Sequence, residues 1–233
     1  MYPNPKIIVA LDFSDVNEAL AFVAQLSPQQ CRLKVGKELF TLGGPQLVEK
    51  LVAKDFSVFL DLKFHDIPHT VARACIAAAK LGVWMMNVHA LGGLNMLQAA
   101  REALDRCSSP SPLLIAVTLL TSMDQATMQQ LGLSDSVEQQ VLRLAKLSRQ
   151  ADVDGVVCSA QEAVSLREQF GQKFCLVTPG IRLSNNITDD QQRVVMPQQA
   201  VKNGADYLVI GRPITQAHNP VEKLLKISFE LMQ

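Results

Sequence analysis

The chain has 233 residues, 48% hydrophobic and 19% charged, with 22 basic and 22 acidic side chains. That length is enough for one large domain with a sizeable core. The even charge balance argues against a nucleic-acid-binding protein, which would carry a basic excess, so an anionic ligand must be met by a few local cations. No apolar run reaches the ~18 residues that a membrane span needs. The start, MYPNPKIIVALD, has no basic-then-apolar signal pattern. Five cysteines, Cys31, Cys75, Cys107, Cys158 and Cys175, form no CxxC pair. They read as reduced thiols of a soluble cytoplasmic protein.

Short apolar runs alternate with amphipathic stretches along the whole chain. KIIVALD (6–12) reads as a strand, DVNEALAFVAQL (15–26) as a helix, CRLKVG (31–36) as a strand and GGPQLVEKLVAK (43–54) as a helix. SVFLDLK (57–63), WMMNVHA (84–90) and LLIAVTLL (113–120) are further strands, and DSVEQQVLRLAKLSRQ (135–150) has a helical repeat. GVVCSA (155–160), FCLVTP (174–179) and YLVIGR (207–212) complete eight apolar runs. A last helix begins at Asn219-Pro220, an N-cap followed by proline in the first turn. Nearly continuous apolarity suits parallel strands covered on both faces, and the helices repeat at three and four residues. Eight strand–helix units predict a (β/α)8 TIM barrel spanning 1–233 as a single domain. A doubly wound open sheet is the other option. The Gly-x-Gly-x-x-Gly fingerprint after the first strand is absent, which counts against it. The longest polar interruption, 181–196, is a candidate lid.

Polarity collects where these strands end. Asp12 ends the first, Lys34 lies near the end of the second, and Asp61 and Lys63 end the third. His89 ends the fourth, Thr121 and Ser122 lie past the fifth, Pro179 and Gly180 close the seventh, and Gly211-Arg212 close the eighth. In a barrel these ends meet at the face that carries active sites. Core packing gives no reason for such a gathering.

DLKFHDIPHT (61–70) is the densest part of it. Strand residues two apart share a face, so Asp61 and Lys63 point together. Lys34 and Asp12 can join them from neighbouring strands, with Asp66 just beyond. An isolated Asp-x-Lys is often a plain ion pair, and Asp66 before Ile67-Pro68 could simply start a helix. An alternating lysine–aspartate array, however, keeps every member charged. Lys63 then reads as a proton donor, because a nucleophilic amine needs a lowered pKa. Such an array suits decarboxylation, in which charge develops on carbon and is met by a proton. His65 and His69 are four apart, but Pro68 intervenes and no third ligand is evident, so no metal site is expected. His89 reads as a barrel-mouth histidine. On the far side, Arg182, Gln191 and Gly211-Arg212 have the makings of a phosphate grip with a movable flap.

These motifs together resemble the orotidine 5′-monophosphate decarboxylase family in its bacterial form. The matching pieces are VALD (9–12), KVGKELF (34–40), DLKFHDIPHTV (61–71), VTLLTS (117–122), VTPGIR (177–182), DDQQRV (189–194) and YLVIGRPIT (207–215). The resemblance covers essentially the whole chain. It implies a homodimeric barrel that converts orotidine 5′-monophosphate to uridine 5′-monophosphate without metal or organic cofactor. By motif, Lys63 is the proton donor, Asp61 faces the substrate carboxylate, and Lys34 completes the array and contacts ribose together with Asp12. Asp66 and Thr70 are expected to reach the partner subunit's site. Thr121 and Ser122 fall where the family meets the pyrimidine, near Pro179. Arg182, Gln191, Gly211 and Arg212 are expected to hold the phosphate. Related magnesium-dependent sugar-phosphate decarboxylases place a glutamate where this chain has Lys34. A catalytically silent nucleotide-binding protein would be expected to lack Lys63 or an aspartate, and all are present.

Overall fold

Every one of the eight apolar runs forms a strand, and in six of them, all but CRLKVG and SVFLDLK, the residues at the C-terminal end of the run lie beyond the ladder. The computed structural model describes residues 5–107, 110–181 and 195–231. Strand β1 (Ile7–Ala10) leads to helix α1 (Val16–Val23), β2 (Arg32–Gly36) to α2 (Lys37–Val52), and β3 (Val58–Phe64) to α3 (Pro68–Lys80). Strand β4 (Met85–His89) leads through a 3-10 turn (Ala90–Gly92) to α4 (Leu94–Asp105). Strand β5 (Leu113–Val117) precedes α5 (Gln125–Gln130) and α6 (Val137–Gln150), and β6 (Gly155–Val157) precedes α7 (Ala163–Phe170). Strand β7 (Cys175–Thr178) precedes α8 (Pro197–Lys202), and β8 (Tyr207–Ile210) precedes α9 (Arg212–Thr215) and α10 (Pro220–Glu230). All neighbours are parallel, and β8 closes on β1 with Ile8 opposite Val209. The expected (β/α)8 barrel is therefore the observed fold. Among the described residues no helix is long and apolar enough to cross a membrane.

Local chemistry sets the helix starts. The Asp15 side chain accepts from the N–H groups of Asn17 and Glu18 at α1. Ser136 and Gln139 form a reciprocal capping box at α6. Asn219 accepts from the Glu222 N–H at 3.1 Å, as its position before Pro220 led us to expect. Helix α2 differs from the expectation of 43–54. It starts at Lys37 and is broken at Gly44, whose φ of 58° and ψ of −163° leave the helical region. Glycine tolerates that conformation, and Pro45 then opens the second piece. The Gly-Gly-Pro signal marks that second piece, while the first lies against the core through Leu39.

The barrel interior is layered. At its floor the Arg32 guanidinium sits 3.8 Å from the centre of the Trp84 ring and 5.3 Å from that of Tyr207. Those two rings meet edge-on at 4.9 Å. Arg32 also donates to the Pro5 carbonyl at 3.2 Å. Stacking on aromatic faces suits guanidinium, which is weakly hydrated and tolerates burial. Above the floor lies an apolar belt that includes Ile8, Phe59, Met85, Ile115, Val177 and Val209. The charged residues of β2 and β3 come next, at the C-terminal mouth. A second and larger core fills the space between strands and helices, with Leu33, Val35, Leu60 and Leu97 at full burial.

Barrel closure leaves no slack at Gly155, the first residue of β6. A Cβ there would come within 2.0 Å of the Cys175 carbonyl oxygen on the neighbouring strand backbone. Gly155→Ala should therefore destabilise the fold by about 1–3 kcal/mol, the usual cost of overpacking. A lower urea midpoint with an unchanged slope is the expected result. An unchanged midpoint would mean that the strands separate without penalty.

Candidate active site

At the mouth, one carboxylate organises the charges. Asp61 Oδ1 accepts from Lys63 Nζ at 2.6 Å, and Asp61 Oδ2 lies 3.3 Å from Lys34 Nζ. Lys34 Nζ also reaches Asp12 Oδ1 at 3.2 Å. The Lys34 and Asp61 side chains are only 11% and 12% exposed, so each ion depends on its partners for the solvation it has lost. Burial pushes the Asp61 carboxyl up, but Lys34 and Lys63, with hydrogen bonds from Lys63 and Asn87, outweigh it and hold the group below its ordinary range. Burial likewise pushes Lys34 down, and Asp61 and Asp12 overcome it, leaving the ammonium raised. Two glycines give the array room. A Cβ on Gly36 would sit 3.1 Å from Lys34 Nζ, and one on Gly211 would sit 3.3 Å from Asp12 Oδ2.

Asp61 and Lys63 do meet, but not by simple alternation along a regular strand. The β3–β4 register pairs Leu60 with Met86 and then Phe64 with Val88. Three residues of β3 thus stand opposite Asn87 alone. Lys63 takes up the excess with φ of 54°, a conformation costing about 1–2 kcal/mol for a residue with a Cβ. Its N–H donates to Asn87 Oδ1 at 2.7 Å, and Asn87 Nδ2 donates to Asp61 Oδ1 at 2.7 Å. The sequence reading passed over Asn87. The one signal for it was a lone amide inside the apolar run WMMNVHA.

Beside the array lies a cleft of about 300 Å³. Of the residues singled out from the sequence, Asp12, Lys34, Asp61, Lys63, Thr121, Ser122, Pro179, Gly211 and Arg212 line it. The array comes from β1–β3, the hydroxyls follow β5, and Gly211 and Arg212 follow β8. The rest of the lining includes the apolar side chains of Phe59, Leu119, Val157 and Val209. A concave cleft in which apolar walls meet convergent polar and charged groups has the form of a small-molecule site. Asp66 and Thr70 do not line it and are exposed at the start of α3. Asp66 accepts from the adjacent Ile67 N–H at 2.6 Å, while the N-cap position of α3 belongs to Ile67. Arg182, Gln191 and all but the flanks of the candidate lid fall outside the described residues. Those flanks, Ile181 and Val195, pair in a parallel bridge.

Residues 5–227 match the model of the orotidine 5′-phosphate decarboxylase / HUMPS family. The chain belongs to this family. Its family description carries two names, and the curated relatives separate them. An orotidine 5′-phosphate decarboxylase from Legionella pneumophila (strain Corby) is 60% identical over 94% of this chain and 96% of its own. The one from Nitrosococcus oceani is 60% identical over 97% of both chains. Among solved structures, orotidine 5′-phosphate decarboxylase from Lactobacillus acidophilus superposes with a TM-score of 0.88 at 36% identity, covering 99% of this chain and all of the other. A conserved uncharacterized protein from Geobacillus kaustophilus gives 0.84 at 38% identity, covering 97% and 99%.

The histidines of this family member do not gather as ligands. His65 and His69 are exposed, and His65 instead lies against His89, with ring centres 5.5 Å apart. Among the described residues no group of three or more His, Cys, Asp or Glu side chains converges as a metal site would. The five cysteines are unpaired. Burial pushes the thiols of Cys31, Cys75 and Cys175 up to about 12, and that of Cys158 also upward, so none of these four is poised to react. His89 is held down to about 4 by burial and by the nearby His65, Lys37 and Lys63. Between pH 6.5 and 4 the unfolded chain therefore binds a proton at His89 that the folded chain refuses. Stability should fall through that interval as pH drops and stop responding to this group below it. An NMR titration should place the His89 midpoint near 4; a midpoint at 6 or above would show that the imidazole is not held neutral.

Proposed function

We propose that this chain decarboxylates orotidine 5′-monophosphate to uridine 5′-monophosphate in pyrimidine nucleotide synthesis, with 1–233 acting as one barrel domain. The observation that carries this reading is the Asp61 carboxylate held between Lys63 at 2.6 Å and Lys34 at 3.3 Å, in a chain 60% identical to relatives bearing that activity's name. The substrate carboxylate would lie against Asp61, which disfavours it, with Lys63 beside the ring carbon that bears it. As the carbon–carbon bond breaks, the electron pair stays on that carbon. Lys63 delivers a proton to it, carbon dioxide leaves, and water reprotonates the amine. The charges are in place before the reaction begins, so little reorganisation is needed as charge develops.

The other residues divide the substrate among them. Asp12 and Lys34 bind the ribose, while Thr121 and Ser122, near Pro179, meet the base. Gly211 and Arg212 hold the phosphate together with Arg182 and Gln191. Binding energy from that remote phosphate stabilises the transition state. Asp66 and Thr70 serve the partner subunit's cleft in a homodimer. Their exposure supports this, as does Ile67 between them at 66% exposed, an apolar side chain suited to an interface. Buried, unpaired thiols fit a cytoplasmic setting. The magnesium-dependent sugar-phosphate reading is disfavoured by Lys34. Its ammonium already fills the niche between Asp12 and Asp61 that a divalent cation would need.

An ultraviolet assay with orotidine 5′-monophosphate, with and without EDTA, tests the reaction and the metal question together. Equal turnover in both is expected. Activity that EDTA abolishes and magnesium restores would transfer the chain to the sugar-phosphate branch. A complementation assay tests the dimer. Lys63→Ala and Asp66→Ala homodimers should each be nearly inactive, whereas subunit exchange between them creates mixed dimers with one intact site. Part of the activity should then return, and none would return if Asp66 served its own cleft.

A further inference from the structure

Lysine 63 has an unusual backbone for its position. Among the described residues only Asp55, Lys63 and Asp152 are non-glycine residues with positive φ. Asp55 and Asp152 lie in the turns just after α2 and α6, and aspartate enters that region readily because its short side chain can hydrogen-bond locally. Lys63 lies inside a strand and has no such local bond to offer. Its N–H has no opposite residue on β4 and turns to a side chain instead.

That side chain is Asn87, which is fully buried. Its amide is used at both ends. The oxygen accepts from the Lys63 N–H, and the nitrogen donates to Asp61 Oδ1, the same oxygen that Lys63 Nζ meets. The two demands fix which end of the amide points where, since only the oxygen accepts and only the nitrogen donates. Leucine would supply neither bond, and aspartate would supply only the first. Asn87 is absent from the cleft lining, so any influence on chemistry passes through its two partners.

We propose that Asn87 is a positioning residue: its buried amide clamps the Lys63 backbone and the Asp61 carboxylate together, and so aims the proton-donating ammonium. The clamp rests on the decarboxylase reading above. It spans two strands and ties the β3 bulge to β4 at the point where the bulge would otherwise be free to relax. Loss of the clamp lets Lys63 return toward ordinary strand geometry and moves its Nζ away from the reacting carbon. Misplacement of that order costs about 100-fold in rate. Substrate and product affinity should change little, because the cleft keeps its lining.

The test uses Asn87→Leu, which keeps the branched shape with somewhat larger bulk and removes both bonds, and Asn87→Asp, which keeps the acceptor and removes the donor. For Asn87→Leu, kcat should fall about 100-fold, while the Kd of uridine 5′-monophosphate should stay within about threefold of wild type. In both variants the acid limb of the kcat profile should move to higher pH, since Asp61 loses a hydrogen bond that favours its charged form. A residue with a merely structural role would lower the melting temperature without moving that limb. Wild-type kcat with an unmoved acid limb in either folded variant overturns the proposal. Equal losses in kcat and product affinity also overturn it, because they would indicate a collapsed cleft. Hydrogen exchange in the wild-type protein needs no variant to fold. The Lys63 amide should be protected, and exchange at the rate of an exposed amide overturns the clamp. A wild-type protein that leaves orotidine 5′-monophosphate untouched would instead sink the decarboxylase reading, and the exchange result would still stand by itself.

Discussion

One buried carboxylate cannot stand without partners, and the mouth of this barrel is arranged around that requirement. Asp61 divides its two oxygens between Lys63 and Asn87 on one side and Lys34 on the other. Lys34 is itself buried and draws on Asp12. Asp61 is the shared partner: its removal would leave Lys63 without its ion pair and the buried Lys34 with Asp12 alone, and an unpaired charge at low dielectric costs several kcal/mol. The array is therefore cooperative in charge. Lys34 and Asp61 in particular hold each other in their ionised forms against burial.

The fold delivers this arrangement cheaply. Parallel strands in a closed barrel bring all their C-terminal ends to one rim, so residues distant in sequence become neighbours without long loops. Lys34, Asp61 and Lys63 lie on strands rather than on mobile connections, and strand-borne groups hold their geometry better. The single place where the strand departs from regularity is the bulge at Lys63. The departure is local, and a neighbouring strand supports it through one amide.

Much of this was legible in the sequence, and the limits have physical causes. Buried parallel strands are short and apolar throughout, so all eight could be read directly. The clustering of Asp12, Lys34, Asp61 and Lys63 followed from their common place at strand ends. The backbone turn at Lys63 was hidden, because nothing in Asp-Leu-Lys distinguishes a regular strand from a bulged one. Asn87 was hidden too, since a lone amide in an apolar run is explained only by what faces it from another strand. The floor formed by Arg32, Trp84 and Tyr207 draws on β2, β8 and the residue just before β4, and left no local pattern. The first half of α2 was missed because the break at Gly44 masks its continuity. Arg182 and Gln191 rest on their place in the polar loop after the seventh strand and on the resemblance, while the crossing of Asp66 and Thr70 between subunits rests on the resemblance alone.

The layered interior has one more implication, for how such a chain can change over generations. The apolar belt of Ile8, Phe59, Met85 and their neighbours separates the guanidinium floor from the ionic rim. Trp84 and Tyr207 pack against this belt from below, and its Phe59, Val177 and Val209 line the cleft above, so a replacement in the floor would have to act on the rim by way of the belt. Relatives should thus drift in the stacking residues of the floor while the rim stays frozen, and the lower half is the natural place to introduce stabilising substitutions without disturbing turnover.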